Sequence, residues 1–451
     1  MDYEILGITI ALLAWVAWAM VMDHRHRHLE ELGQLPTGPR WWHVVGNIFQ
    51  LGWSPHESFA KLSQMLKNHD VVLAGRKIYE AMKGDYGNAC SLITAQYGPH
   101  WCMLRRLRTT EFFVTSRLDA MRGVRSRYID RMVQFVEDAG AGGTKSIDVR
   151  RFFFLMAFNL IENLMFLKDL LDPKSEKGAK FFYHAGKVME FAGKPNVADF
   201  LPLLRWLDPQ EKRNDFLDVL LEFRGDGVDE PATFSSRTIN VIVFEMFTAG
   251  TDTTTSTLEW AMMKLLHNPE KLRKVQDELR STIGVPNKKL EEKDIENLPY
   301  LKAVIKETLR LHPPLPFLVP HMAMDSCKML GYYIPKETQV LVNIWAIGRD
   351  LDTWKEPLVF KPERFLMDPN AADYKGQHFE FIPFGFGRRM CPALPLASHV
   401  LPLALGSLLY SFDWVLANGV KTEDMDMSER MGITLKKSVP LKAIPIPYKG
   451  Y

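Results

Sequence analysis

The sequence predicts a mainly α fold with a minor β-sheet, and three observations carry that prediction. The stretches 240–267 and 298–312 are apolar over helical lengths, and Asn268-Pro269 and Pro313-Pro314 stop them. Strand signals are few and short: Tyr332, Tyr333 and Ile334, then Val340, Leu341 and Val342, read as one hairpin around Lys336-Glu337. With 451 residues, 47% hydrophobic and 24% charged, the chain can bury a large core as one big domain or as two.

Residues 5–22 are uncharged and apolar, just long enough to cross a bilayer core as a helix. A cleavable signal peptide competes with an anchor, but Asp2 and Glu4 are acidic where a signal peptide is basic. Arg25 and Arg27 follow among alternating histidines, so the positive-inside rule puts the N-terminus in the lumen and the rest in the cytosol. Those histidines read as a basic flank rather than a metal site, because nothing fixes their geometry. Pro36, Gly38 and Pro39 make a stiff joint. The expected organisation is an anchor at 1–22, a basic flank and hinge at 23–40, and one catalytic domain at 41–451. A net charge of +2 argues neither for nucleic acid nor for a strongly acidic partner, and no nucleic-acid partner is expected.

Trp101 and Arg105 follow Gly98-Pro99, and an indole N–H and a guanidinium can both donate to a carboxylate. The helix at 240–267, capped by Ser235 or Ser236, is apolar on more than one face and reads as central and buried. Ala249-Gly250-Thr251-Asp252-Thr253-Thr254 interrupts it with poor helix formers. Taken alone this is ordinary small-residue packing. Taken as a site, Ala249 and Gly250 let a flat cofactor and a diatomic ligand approach. Thr253, one turn beyond Ala249, then points an alcohol at that ligand, and Asp252 can relay protons. Glu307 and Arg310 share a helical face, a pairing that by itself is common on solvated helices.

Cys391 lies in the run Phe384-Gly385-Phe386-Gly387-Arg388-Arg389-Met390-Cys391-Pro392-Ala393. A lone cysteine is commonly a small buried hydrophobe. Here glycines let backbone N–H groups approach a sulfur, Arg389 can pair with a carboxylate of a cofactor, and a helix through 396–409 aims its positive end at the thiolate. These parts suit a cysteine-ligated haem. The other cysteines, Cys90, Cys102 and Cys327, form no C-x-x-C, so a reducing compartment fits and a haem is held without thioether links. No strand–G-x-G-x-x-G–helix unit and no Walker loop occurs, so electrons must come from another protein.

The run around Cys391 resembles the cysteine signature of the cytochrome P450 family, with Phe384, Gly387, Arg389 and Cys391 matching and Ala393 in place of the last glycine. The resemblance extends in order through the anchor, the hinge, Trp101-x-x-x-Arg105, the oxygen-activation motif at 249–254, Glu307-x-x-Arg310 and Pro362-Glu363-Arg364-Phe365. It is nearest to plant microsomal enzymes, the group that includes geraniol and flavonoid hydroxylases. It implies a cytochrome P450 fold binding haem b, with Cys391 as the iron ligand. Trp101, Arg105, Ala249, Gly250, His321, Phe384, Gly387, Arg389 and Ala393 would line the cofactor, although His321 also reads as a surface histidine beside the hairpin. Asp252 and Thr253 would be catalytic. Glu307, Arg310 and Arg364 would form a buried ion network of structural role. NADPH would act only through NADPH–cytochrome P450 reductase, with cytochrome b5 as a second partner, at the endoplasmic reticulum membrane. Arg106, Arg108 and Arg388 would give the reductase a basic surface. Substrate contacts would come from 92–95, 191–201, 244–249, 315–319 and 431–434.

Against that pattern two stretches read as cut out, at Gln64–Met65 and at Gln210–Glu211. The first cut removes part of the N-terminal sheet and leaves 332–342 without sheet partners, exposing an edge. The second removes much of the distal lid helices. The reading is therefore a monooxygenase that hydroxylates a small apolar or aromatic plant metabolite (terpenoid, alkaloid or phenolic). The alternative is a haem-binding splice form or isoform impaired in turnover. A peroxide-rearranging relative is disfavoured by the Asp252-Thr253 pair.

Overall fold

The computed structural model describes residues 69–77, 91–166, 236–284, 288–329, 332–366, 372–376, 378–432 and 434–449. The anchor, the hinge, both joins, the 191–201 segment and Cys90 lie outside the described residues. The helices are α1 (Pro99–Phe112), α2 (Thr115–Ala120), α3 (Arg122–Gly140), α4 (Val149–Phe166), α5 (Ser236–His267), α6 (Pro269–Ile283), α7 (Pro299–Leu311), α8 (Ile344–Ile347) and α9 (Leu394–Ser411). The strands are β1 (Ile147–Asp148), β2 (His321–Met322), β3 (Cys327–Met329), β4 (Tyr332–Ile334), β5 (Gln339–Val340), β6 (Phe412–Leu416), β7 (Glu429–Met431), β8 (Leu435–Lys437) and β9 (Lys442–Pro447). Helix dominates and the sheets are small, as the sequence predicts.

Prolines set several boundaries. Pro99, Pro269, Pro299 and Pro395 stand in the first turns of α1, α6, α7 and α9, where a missing N–H costs nothing because that group has no helical partner. α5 runs for 32 residues at the centre. Gly250 and five threonines between 251 and 257 work against it, at roughly 0.5–1 kcal/mol each. Burial of Leu258, Trp260, Met262 and Leu265, at roughly 1.5–3 kcal/mol each, outweighs that cost. These side chains join Phe153 and Leu160 of α4, Leu301 and Val304 of α7, and Leu405 and Leu408 of α9 in one core. α9 is long and apolar enough to cross a membrane by length and composition, but most of it is buried inside this core.

The expected hairpin does not form. β4 pairs with β3 (Lys328 opposite Tyr333), and β5 pairs with β2 (His321 opposite Val340). The alternating pattern marks strands but not partners. A turn from Pro335 to Thr338, with Glu337 at φ +68°, redirects the chain. Val340 then packs on a second small core of Leu73, Ala323, Val342, Ile344, Ile347, Ile382 and Phe386. So 332–342 has partners, contrary to the expectation. Among the described residues β2–β5 is extended only by a bridge from Gly75 to Met322, and neighbouring Leu341 is half-exposed.

The β7–β8 hairpin is tied down at several points. Leu435 N–H donates to Pro314 (2.8 Å), and the Ser256 hydroxyl of α5 donates to Leu435 (2.7 Å). Glu429 accepts from His312 Nδ1 (2.6 Å) and Trp345 Nε1 (3.3 Å). The His312 ring stacks on Trp260 at 3.9 Å. Burial is the main reason its pKa falls to about 4, so its contact with Glu429 is a hydrogen bond from a neutral ring.

Candidate cofactor and catalytic site

The cysteine loop is shaped by two glycines with positive φ, Gly385 (+77°) and Gly387 (+57°). At Gly387 a Cβ would also collide with the Asp70 carboxylate. That carboxylate accepts the Arg388 N–H (2.9 Å) and pairs with its guanidinium (3.2 Å). Cys391 N–H donates to Phe384 (2.9 Å), and the Phe384 ring meets Tyr374 edge-on at 5.5 Å. α9 begins three residues after the sulfur. Burial pushes the Cys391 thiol up. The N–H groups of Ala393 and Leu394 and the Arg105 guanidinium act in the opposite sense but do not overcome it. Ala393 sits at φ −89°, open to any residue, so its methyl causes no backbone strain.

Above this loop lies a group of cations. Arg389 donates to the carbonyls of Ala74 (2.9 Å), Leu92 (3.2 Å) and Ala95 (2.7 Å). Its guanidinium covers the Trp101 ring at 4.3 Å. Arg105 donates to Met390 (2.6 Å). Arg76 donates to Ile93 (3.1 Å), Val319 (2.9 Å) and Pro320 (3.0 Å). Burial, then the nearby Arg389 charge, lowers Arg76 to about 9; burial, then Arg105, lowers Arg389 to about 10. Among the described residues no Asp or Glu pairs with any of the three. One buried cation, Arg76, and two half-buried ones, Arg105 and Arg389, bonded to carbonyls and paired with no described carboxylate, fit a cofactor bearing carboxylates, such as the two propionates of haem. Trp101 departs from the expectation, because its indole N–H is already donated to Leu92 (2.9 Å) and its ring serves as the floor under Arg389. His321 is buried, not a surface residue; Nδ1–H donates to Leu73 (2.7 Å) and the ring stacks on Phe386 at 5.5 Å. Burial, then Arg76, brings it down to about 4.

Ala249 is exposed although it lies midway along the central helix, which leaves one face open there. Thr253, one turn on, donates its hydroxyl to Ala249 (2.5 Å). Gly250 faces elsewhere. A Cβ on it would collide with Ile161 of α4, so its smallness serves helix packing rather than the cofactor. One residue turns a helix by about 100°, which separates it from Ala249. Asp252 is 3% exposed and fully engaged: Lys436 lies 2.6 Å from Oδ1, and the Thr434 hydroxyl donates to Oδ2. Its expected openness to solvent is not present in this arrangement.

Glu307, Arg310 and Arg364 come together against the backbone of residues 348–361. Arg310 grips Glu307 with two bonds (2.7 and 2.8 Å), and Arg364 adds a third at 3.1 Å. The Lys361 N–H joins at 2.7 Å. Of the predicted docking arginines, Arg106 and Arg388 are exposed, but Arg108 is not. It is 3% exposed and paired with Glu245 of α5 at 2.8 Å, which also accepts the Leu92 and Ile93 N–H groups. Arg76, Asp70, Glu245 and Lys436 were not found from sequence. Each is a single charged residue whose partner lies far along the chain.

A sequence profile described as Cytochrome P450 matches residues 65–211 and 205–443. The iridoid oxidase of Catharanthus roseus is 43% identical over 474 residues, covering 91% of this chain and 92% of that protein. The geraniol 8-hydroxylase of the same plant is 38% identical over 502 residues, covering 99% of each. Both alignments are longer than this 451-residue chain, so they carry gaps on its side. A zebra fish cytochrome P450 solved with abiraterone superposes with a TM-score of 0.69 at 25% identity, covering 89% of this chain and 95% of that one.

Proposed function

This chain belongs to the cytochrome P450 family of haem b monooxygenases, and from that premise we propose that it hydroxylates a small apolar plant metabolite while anchored to the endoplasmic reticulum by residues 1–22. The observation that carries the reading is Cys391, set in its glycine loop at the start of α9 with Arg105 beside it. Bound there, haem supplies an iron at which dioxygen is activated, its thiolate ligand favouring O–O cleavage as is general for this family. Arg76, Arg105 and Arg389 neutralise the two propionates. Ala249, small and exposed, would leave room for the cofactor and its ligand. Thr253 holds a hydroxyl toward that space, and Asp252 is the acid that feeds it. Glu307, Arg310 and Arg364 hold the loop from below. NADPH–cytochrome P450 reductase delivers electrons, with cytochrome b5 as a second donor, and Arg106 and Arg388 meet its acidic surface. Two similar plant proteins carry iridoid and geraniol in their names, which supports a terpenoid substrate over an alkaloid or phenolic one.

Cys391→Ala is expected to abolish the red-shifted Soret band of the ferrous–CO complex, while Cys102→Ala and Cys327→Ala keep it. Survival of the band in Cys391→Ala would assign the ligand elsewhere. The gaps in the alignments support a second reading, a haem-binding form impaired in turnover. Product formation from terpenoid alcohols with NADPH and reductase separates the two.

A further inference from the structure

Asp252 is latched by a different part of the chain. Its two oxygens are taken by Lys436 (2.6 Å) and by the Thr434 hydroxyl, both from the β7–β8 hairpin. Ser256, one turn further along α5, holds the backbone of the same strand at Leu435 (2.7 Å). The hairpin thus grips one face of the central helix at two successive turns. A carboxylate with both oxygens engaged by an ammonium and a hydroxyl has no free lone pair aimed at solvent, and its charge is balanced inside the protein.

We propose that Lys436 and Thr434 are positioning residues that hold Asp252 as a carboxylate, and that the acid takes up a solvent proton only when Lys436 withdraws. One proton enters the carboxylate from water and one leaves it toward Thr253, so the acid ends as it began. Lys436 is suited to withdrawing. Burial lowers its pKa, and Arg150 of α4 and Arg430 of β7 act in the same sense, while Asp252 alone among its charged neighbours raises it. Thr434 belongs to 431–434, the segment that the sequence assigns to substrate contact. It therefore stands at both ends of the coupling: a ligand that touches Thr434 moves the residue that grips the acid. This inference rests on Asp252 being the acid of the proposed oxygenation, and the first measurement below does not.

Infrared spectra of the full-length haem protein, without substrate or reductase, read the carboxyl directly. Without its ammonium, a carboxylate at this depth has no counter-charge and takes a proton. Lys436→Met is expected to gain a carboxylic-acid C=O band at neutral pH that the parent and Lys436→Met/Asp252→Asn lack, with Lys436→Arg restoring the parent spectrum. If no band appears in Lys436→Met, or if the double variant retains it, the latch is wrong. Thr434→Val, which leaves the ion pair, is the second variant should Lys436→Met fail to load haem. It is expected to shift the antisymmetric carboxylate stretch assigned by Asp252→Asn, and an unmoved stretch overturns its half of the latch. With reductase and substrate, Lys436→Met is expected to lose severalfold in product per NADPH, with a changed pH profile that Lys436→Arg reverses. A parent-like profile in Lys436→Met would sink the coupling role of Lys436. A parent-like ratio in Asp252→Asn would instead remove Asp252 from the proposed mechanism and leave the infrared result standing.

Discussion

Two charged clusters, a lower one around Glu307 and an upper one at the cysteine loop, are built on opposite plans. In the lower one Glu307 is matched by Arg310 and Arg364, with carbonyls and the Lys361 N–H filling the remaining positions. In the upper one Arg76, Arg105 and Arg389 crowd together among the carbonyls of residues 74, 92, 93, 95, 319, 320 and 390. The lower cluster is complete as folded. In the upper one burial lowers the pKa of all three members, and a neighbouring guanidinium adds to this at Arg76 and Arg389. The difference teaches how a cluster with its own carboxylate differs from one without, and the second is what a ligand of opposite charge would need.

The largest effect should come from breaking the complete cluster. Glu307→Ala leaves two guanidiniums buried without a counter-charge and is expected to cost about 3–5 kcal/mol in both the haem-free and the haem-bound protein. Denaturant unfolding checks it, and a loss confined to the haem-bound form would erase the contrast between the clusters. Arg389→Met and Arg76→Met should behave in the opposite way. On the proposed haem site each would remove a charge-assisted bond to a propionate, about 1.5–3 kcal/mol or roughly 10–100-fold in haem affinity. In the haem-free protein relief of self-repulsion offsets part of the cost of the carbonyls each leaves unpaired, so the loss there should be smaller than for Glu307→Ala. Haem titration alongside haem-free unfolding separates these terms.

Smaller effects lie above the loop. Thr253→Ala is expected to keep NADPH consumption but divert it to peroxide, seen as a lower product-to-NADPH ratio at unchanged haem content. A separate effect is a pH dependence. His312 has a folded pKa of about 4 against 6.5 in a model peptide, so the unfolded chain binds its proton first. Its share of stability is present above pH 6.5 and is lost as pH falls toward 4. Replacing His312 with Gln should flatten the stability curve across that window, and an unchanged slope would show that other groups set it.

Much of this was legible from local patterns. Cys391, Glu307 with Arg310, and Thr253 sit in short motifs whose spacing carries their chemistry, and prolines announced where α5 and α7 end. Pairing was less legible. Val340 and Tyr333 both looked like strand residues, but which strand each joins depends on Leu73 and Phe386, distant in sequence. Arg108 read as a surface charge because Glu245, its partner, is 137 positions away. Gly250 was legible as a close contact but not as a contact with Ile161. Lone charges such as Arg76, Asp70 and Lys436 have no periodicity, so only the folded chain shows what they hold.

The long reach of Arg389 bears on how the protein is made. Its guanidinium bonds Ala74 across 315 positions, and Arg388 meets Asp70 across 318. A ribosome adding roughly 5–20 residues per second needs about 15–60 s to produce the second half of that contact after the first. Throughout that interval the early segment around Ala74 is outside the tunnel without the loop that completes it. Nascent chains stalled before Arg388 should therefore fail to retain haem, however much of the helical core has already formed.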